Sequence, residues 1–175
     1  MKFQYELTKE DLIDFNLFHI MYAKSTRRSA FIQRYILSLL LIVFPIFLKQ
    51  FSIIPFEYGL AVFVFFYLYW VAFYPRRLRK IVTKRISKML NDGEKNSVIG
   101  THNLAISEDG IVDRSKHTEA KTQFKAIEDI VENKEHIYIY VNADSAHIIP
   151  TRIFVNEAEK NDFLAFLQQR IGRIS

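Results

Sequence analysis

The chain has 175 residues, half of them hydrophobic and 15% aromatic, with no cysteine and a net charge of +5. The lack of cysteine excludes disulfides, thiolate catalysis and cysteine-type zinc sites. The positive charge sits in one block: residues 76–90 hold seven Lys or Arg and no acid, whereas residues 91–175 are net −4, which argues against a nucleic-acid-binding domain.

The N-terminus alternates, with Phe3, Tyr5 and Leu7 set against Lys2, Gln4 and Glu6. That is a short, half-buried strand. A lone exposed strand is unstable, so Phe3–Leu7 is expected to join a C-terminal sheet. Thr8 with Asp11 three residues on reads as a helix start. The helix from Lys9 carries Leu12, Ile13, Phe15, Phe18, Met21 and Tyr22 on one side, and its period permits continuation into the apolar run that follows. No cleavable leader is expected, because the first thirty residues contain acids and lack a leading apolar run.

Two uncharged runs follow, Tyr35–Leu48 and Tyr58–Pro75. The second is long enough to span a bilayer as a helix. The first becomes a full span if it begins near Ala30, with Arg34 reaching back to the headgroups along its apolar stem. Eleven residues of Tyr35–Leu48 are Ile, Leu, Val or Phe. At roughly −0.3 to −0.6 kcal/mol each they outweigh Ser38 and Pro45. Neither run has the polar stripe of a core helix. Pro45 is expected to bend the first span. The short connector Lys49–Glu57 makes the pair an antiparallel hairpin. Lys24, Arg27, Arg28 and Arg34 before the hairpin, and the basic block after it, place both termini in the cytoplasm. Trp70, Tyr67, Tyr69 and Tyr74 fall where an aromatic belt sits at the headgroups.

The basic block is itself patterned. Leu78, Ile81, Val82, Ile86, Met89 and Leu90 recur at three- and four-residue steps among Arg76, Arg77, Arg79, Lys80, Lys84, Arg85 and Lys88. That is a basic amphipathic helix, suited to the inner leaflet or to a neighbouring domain. Together with Arg34, Trp70 and Tyr74, these seven cations are the candidate membrane-interface residues. Each Lys or Arg near an anionic surface contributes about 1 kcal/mol.

Gly93 is placed to end this helix. The period then shortens, with strands expected at Val98–Ser107, Ile111–Ser115, Thr118–Phe124, Ile127–Glu132, His136–Val141 and Ala146–Ile149. Asp109–Gly110 marks a tight hairpin. Asn156 with Glu159 caps a last helix whose buried face is Phe163, Leu164, Phe166, Leu167 and Ile171. A meander of about six strands closed by one helix is the order of a pleckstrin-homology-like domain.

The predicted architecture is an α+β membrane protein. Residues 1–29 form a strand and amphipathic helix, and 30–75 a two-helix transmembrane hairpin with spans at about 30–49 and 57–75. Residues 76–92 form the basic helix, and 93–175 a cytoplasmic antiparallel sheet domain closed by a C-terminal helix.

The N-terminal "FQYELTKEDLIDFNLFH", the "RRSAFIQRYI" leading into the hairpin, and the series "IEDIVENKEHIYIY" and "AHIIPTRIF" resemble the YcxB-like family of bacterial membrane proteins. The resemblance implies a small integral membrane protein with a cytoplasmic, pleckstrin-homology-like C-terminal domain, and it carries no catalytic residues.

No enzyme chemistry is signalled. His19, His102, His117, His136 and His147 form no H-x-x-x-H or H-E-x-x-H pattern, although His102 and His147 can approach across a sheet. The five glycines are dispersed, with no phosphate-cradling loop, and no nucleophile elbow is present. Glu128, Asp129, Glu132 and Glu135 read as a solvated face. No cofactor and no metal is expected. Two functions follow: a non-catalytic membrane domain that binds lipid headgroups or a protein partner, or an immunity or envelope-stress protein acting against membrane-active peptides. The expected partners are the bilayer, its anionic headgroups and a protein, not nucleic acid.

Overall fold

A computed structural model describes residues 1–36, 38–40, 46, 55–92, 98–116 and 118–172. They fall into two compact units, one of Met1–Phe15 with Arg85–Ser175 and the other of Asn16–Lys84.

The first unit is built on two antiparallel sheets. Strand β1 (Lys2–Leu7) pairs with β2 (Gly100–Ile106), so that Tyr5 stands opposite His102 and Leu7 opposite Gly100. The N-terminal strand therefore joins the C-terminal sheet, as its lone alternating pattern requires. The sheet continues through β3 (Gly110–Ser115) to β4 (Glu119–Gln123), in the order β1-β2-β3-β4. The second sheet is β5 (Asp129–Glu132), β6 (His136–Asn142) and β7 (Ser145–Pro150), in that order. A 3₁₀ turn at Phe124–Ala126 leads from one sheet to the other. All six strands expected after residue 93 form, and their ends fall within two residues of the periodic segments.

Gly110 opens β3 at the expected hairpin. Its φ of +154° suits glycine, and a Cβ there would lie 2.2 Å from the Thr122 carbonyl oxygen. The adjoining strand passes too close for any side chain.

The central strand β6 is buried at five consecutive positions, His136–Tyr140. Alternation sends His136, Tyr138 and Tyr140 to one face and Ile137 and Ile139 to the other. The first face meets the start of helix α1 (Lys9–Tyr22): Phe15 packs 5.4 Å from the Tyr138 ring, and Asp11 bonds His136. The closing helix, numbered α4 below (Glu157–Gly172), buries Phe163 and Leu167 completely. Phe163 lies 5.6 Å from Phe3 and 5.2 Å from Phe154, so the lid helix also secures the N-terminal strand. Its cap is as expected, with the Glu159 amide donating to Asn156 Oδ1 at 2.9 Å. The acids expected on a solvated face are exposed, but Asp129 and Glu132 lie on strand β5, and Glu132 pairs with Lys160 at 2.7 Å.

The second unit is helical. Helix α1 does not run on into the apolar segment: it ends at Tyr22, and Ala23 takes an extended ψ of 128° before helix α2 (Lys24–Phe31) starts. The carbonyls of His19 and Ala23 accept from the Ala23 and Arg27 amides at 2.9 Å across the break, and the Thr26 hydroxyl donates to both as well. Ile32–Ile36 then widen into a π turn that holds Arg34. The Ser38 hydroxyl donates 2.6 Å to the Arg34 carbonyl.

Helix α3 (Phe56–Asn91) is 36 residues long and runs through Pro75 without a break. The expected apolar span and basic helix are thus one rod of about 54 Å at a 1.5 Å rise. Pro75 removes a single backbone bond, to the Val71 carbonyl. Among the described residues this is the one helix long and apolar enough to cross a membrane, and none of its most apolar eighteen-residue stretch is buried. Nine of the twenty residues of the other expected span, 30–49, lie outside the described residues, as do the Pro45 bend, most of the connector, the Gly93 helix end and His117. Of the stripe read in the basic block, Val82 and Ile86 are buried, whereas Ile81 is 55% exposed.

Candidate functional site: a basic groove and two buried ion clusters

Within the second unit, α1, α2, the π turn and α3 enclose a groove of about 1040 Å³. Helix α2 contributes Lys24, Arg27 and Arg28, the π turn Arg34, and α3 Arg76 and Arg79. Leu17, Met21, Phe31 and Leu78 give it an apolar wall, and among the described residues no carboxylate lines it. Sequence composition explains the imbalance: residues 16–84 contain ten Lys or Arg and one acid, Glu57. Arg34 Nε is buried with no hydrogen-bond partner among the described residues. Tyr74, which also lines the groove, donates weakly to Gln33 Oε1 at 3.4 Å.

Of the ten candidate interface residues, Arg34, Tyr74, Arg76 and Arg79 come together here. Arg77 instead covers the Trp70 ring at 4.6 Å, a cation–π contact, and Arg76 lies 5.1 Å over Phe73. Lys80, Lys84, Arg85 and Lys88 are exposed along α3 outside the groove. Lys24, Arg27 and Arg28 entered the sequence reading only as orientation charges. Their place beside Arg76 and Arg79 depends on a helix contact across some fifty residues, which no local pattern announces.

The first unit holds two ion clusters. The Asp11 carboxylate accepts five hydrogen bonds. Two come from Thr8 (amide and hydroxyl, both 2.8 Å), one from His136 Nε2 (2.7 Å), and two from Arg152 Nη1 (2.7 Å) and Nη2 (2.6 Å). Burial opposes its ionisation, but the bonds from Arg152, His136 and Thr8 outweigh that and hold its carboxyl well below the usual range. Arg152 Nη2 also donates to the Glu6 carbonyl at 2.9 Å. The cap residue read from Thr8-x-x-Asp11 is thus also the anchor of α1 on the sheet.

In the second cluster, Asp113 on β3 lies 2.9 Å from His102 Nδ1 on β2 and 3.6 Å from His147 Nδ1 on β7. His102 Nε2 faces the Val98 carbonyl at 2.9 Å, and His147 Nε2 faces Thr122 Oγ1 at 2.8 Å. Both partners of His102 are acceptors, so both its nitrogens must donate, which is the imidazolium form. Burial disfavours that charge, but Asp113 more than compensates and raises the His102 pKa; Asp113 falls in turn to about 2 despite its own burial. Every ring nitrogen is engaged with protein. The cluster is therefore a clamp between the sheets, not an open ligand set. His102 and His147 do not approach across one sheet as expected: they stand on different sheets and meet through the Asp113 carboxylate.

The Asp11 cluster borders a cleft of about 340 Å³ with Glu10, Asp14 and Glu135 on its walls. The basic groove is larger than that cleft, cationic and partly apolar, and α3, which lines it, is the one helix among the described residues suited to a bilayer. Neither a curated protein nor a solved structure matches the chain significantly. Residues 106–167, which run from the end of β2 through β3–β7 into α4, match the family model described as YcxB-like protein.

Proposed function

We propose that this is a small, non-catalytic integral membrane protein that presents a pleckstrin-homology-like domain at the cytoplasmic surface of the cell membrane, where it engages anionic lipid headgroups. The observation that carries this reading is helix α3. Its apolar stretch leaves Tyr58, Val62, Phe65, Phe66, Leu68 and Tyr69 each more than half exposed, a surface that water would not tolerate on a stable monomer. The same rod then passes directly into seven cations. Lipid around the first part and anionic headgroups around the second satisfy both. A second span over residues 30–49 completes a hairpin with both termini inside. The four-stranded and three-stranded antiparallel sheets followed by one helix support the pleckstrin-homology-like reading.

The absence of cysteine makes the test direct. Glu57→Cys and Glu108→Cys variants are expressed, membranes are washed with alkaline carbonate, and intact cells are treated with an impermeant maleimide. The protein should stay with the membrane, with Glu57→Cys labelled in intact cells and Glu108→Cys only after permeabilisation. Release by carbonate, or labelling of Glu108→Cys in intact cells, would refute the reading.

A further inference from the structure

We propose that the groove of the second unit is a discrete site for one phospholipid bearing two phosphates, of the diphosphatidylglycerol class. The inference rests on the membrane reading above and goes beyond it, from a charged surface to a stoichiometric ligand. Six cations converge on one groove with no acid among them. A ligand with a single phosphodiester leaves most of that charge uncompensated, whereas two phosphates joined by a short polar bridge engage both banks at once. One bank is Lys24, Arg27 and Arg28 on α2; the other is Arg76 and Arg79 on α3. Arg34, between them in sequence and set in a π turn, holds a buried Nε–H with no partner among the described residues. A buried donor of this kind is costly unless something accepts from it, and a phosphate oxygen is the acceptor that guanidinium geometry suits best.

The rest of the groove fits the rest of such a lipid. Leu17, Met21, Phe31 and Leu78 supply an apolar wall for the glycerol and upper acyl chains. A volume of about 1040 Å³ exceeds what a soluble phosphate needs. Basic pockets between membrane helices on the cytoplasmic side bind polyanionic headgroups of this kind.

The test uses the full chain, purified, delipidated and placed in phosphatidylcholine nanodiscs. Diphosphatidylglycerol or phosphatidylglycerol is added at equal total phosphate, and bound lipid is counted by native mass spectrometry. One diphosphatidylglycerol per chain should be retained, in clear preference to phosphatidylglycerol. The double variant Arg76→Gln/Arg79→Gln should weaken binding about thirtyfold, from roughly fivefold per cation lost. Lys84→Gln/Lys88→Gln, on the same helix outside the groove, should lower retention of the two lipids alike and leave the preference for diphosphatidylglycerol intact. Equal retention of the two lipids, or equal loss in the two double variants, overturns the proposal in favour of diffuse surface attraction. Competition by inorganic pyrophosphate at matched phosphate would overturn it in favour of a soluble anion. A chain that resists carbonate extraction yet shows no lipid preference defeats this inference alone; one released by carbonate defeats the membrane reading as well.

Discussion

Asp11 and Arg152, 141 residues apart, form a two-pronged ion pair, with Nη1 to Oδ1 at 2.7 Å and Nη2 to Oδ2 at 2.6 Å. The carboxylate is buried whereas the Arg152 side chain is half exposed. The consequences of breaking the pair are therefore unequal. Asp11→Ala removes a helix cap and the acceptor for His136 and Arg152 together, and should cost about 3–4 kcal/mol. Arg152→Ala leaves Asp11 still bonded by His136 and Thr8, and should cost about 1–2 kcal/mol. Denaturant unfolding of the two full-length variants in one detergent checks the order. A larger loss for Arg152→Ala would contradict it.

The His102–Asp113 pair makes stability depend on pH at both ends. The folded pKa of His102 lies above its unfolded value of 6.5, so its contribution is complete below that value and lost as pH rises through the folded one. The folded pKa of Asp113 is about 2 against an ordinary 3.8, so its contribution is complete above the ordinary value and lost as pH falls through about 2. Thermal unfolding followed across pH should show both losses. Asp113→Asn should flatten both limbs, because it removes the partner of each histidine. An unchanged pH profile in that variant would exclude the clamp.

Tyr5 ties the two sheets. Its ring stacks 5.5 Å from His102, and its hydroxyl donates 3.2 Å to the Ile148 carbonyl on β7. Burial raises the pKa of this phenol, with the Asp113 and Asp11 charges adding to the effect, so it remains a donor. Tyr5→Phe should cost about 1 kcal/mol, the net worth of a hydrogen bond. Tyr5→Ala should cost about 3–5 kcal/mol through the cavity it leaves. Hydrogen exchange at β2 amides provides the local readout, since loosening β1 exposes β2 as an edge. Equal effects of the two variants would mean that the ring packing is dispensable.

Gly110→Ala places a methyl group against the Thr122 carbonyl oxygen at 2.2 Å on a positive φ. The strand must move or the turn must open, at about 2–3 kcal/mol. The unfolding midpoint should fall accordingly, while Gly59→Ala, with nothing within 4 Å of the new atom, should be nearly silent. A comparable loss at Gly59 would undo the steric explanation.

What was legible in the chain was what acts over a few residues. The alternation of Phe3, Tyr5 and Leu7 identified β1, and the run Ile137–Tyr140 identified β6. The caps Thr8–Asp11 and Asn156–Glu159 were readable because a side chain reaches a backbone amide only three residues away. The apolar and basic halves of α3 were readable because lipid and water sort residues by composition alone. That the two halves form one continuous helix was not legible: Pro75 stands between them, and a single lost hydrogen bond in a 36-residue helix does not end it.

The sequence by itself determined the strands, the helix caps, the membrane-suited stretch and the position of its charges, because periodicity, capping and hydropathy are local properties. Only the tertiary structure decided that Asp11 is both cap and anchor, that His102 and His147 share Asp113, and that α2 and α3 set their cations around one groove. Each of those arrangements joins positions that are far apart in the chain. They depend on how sheets stack and helices cross, and those are settled by the packing of the whole core.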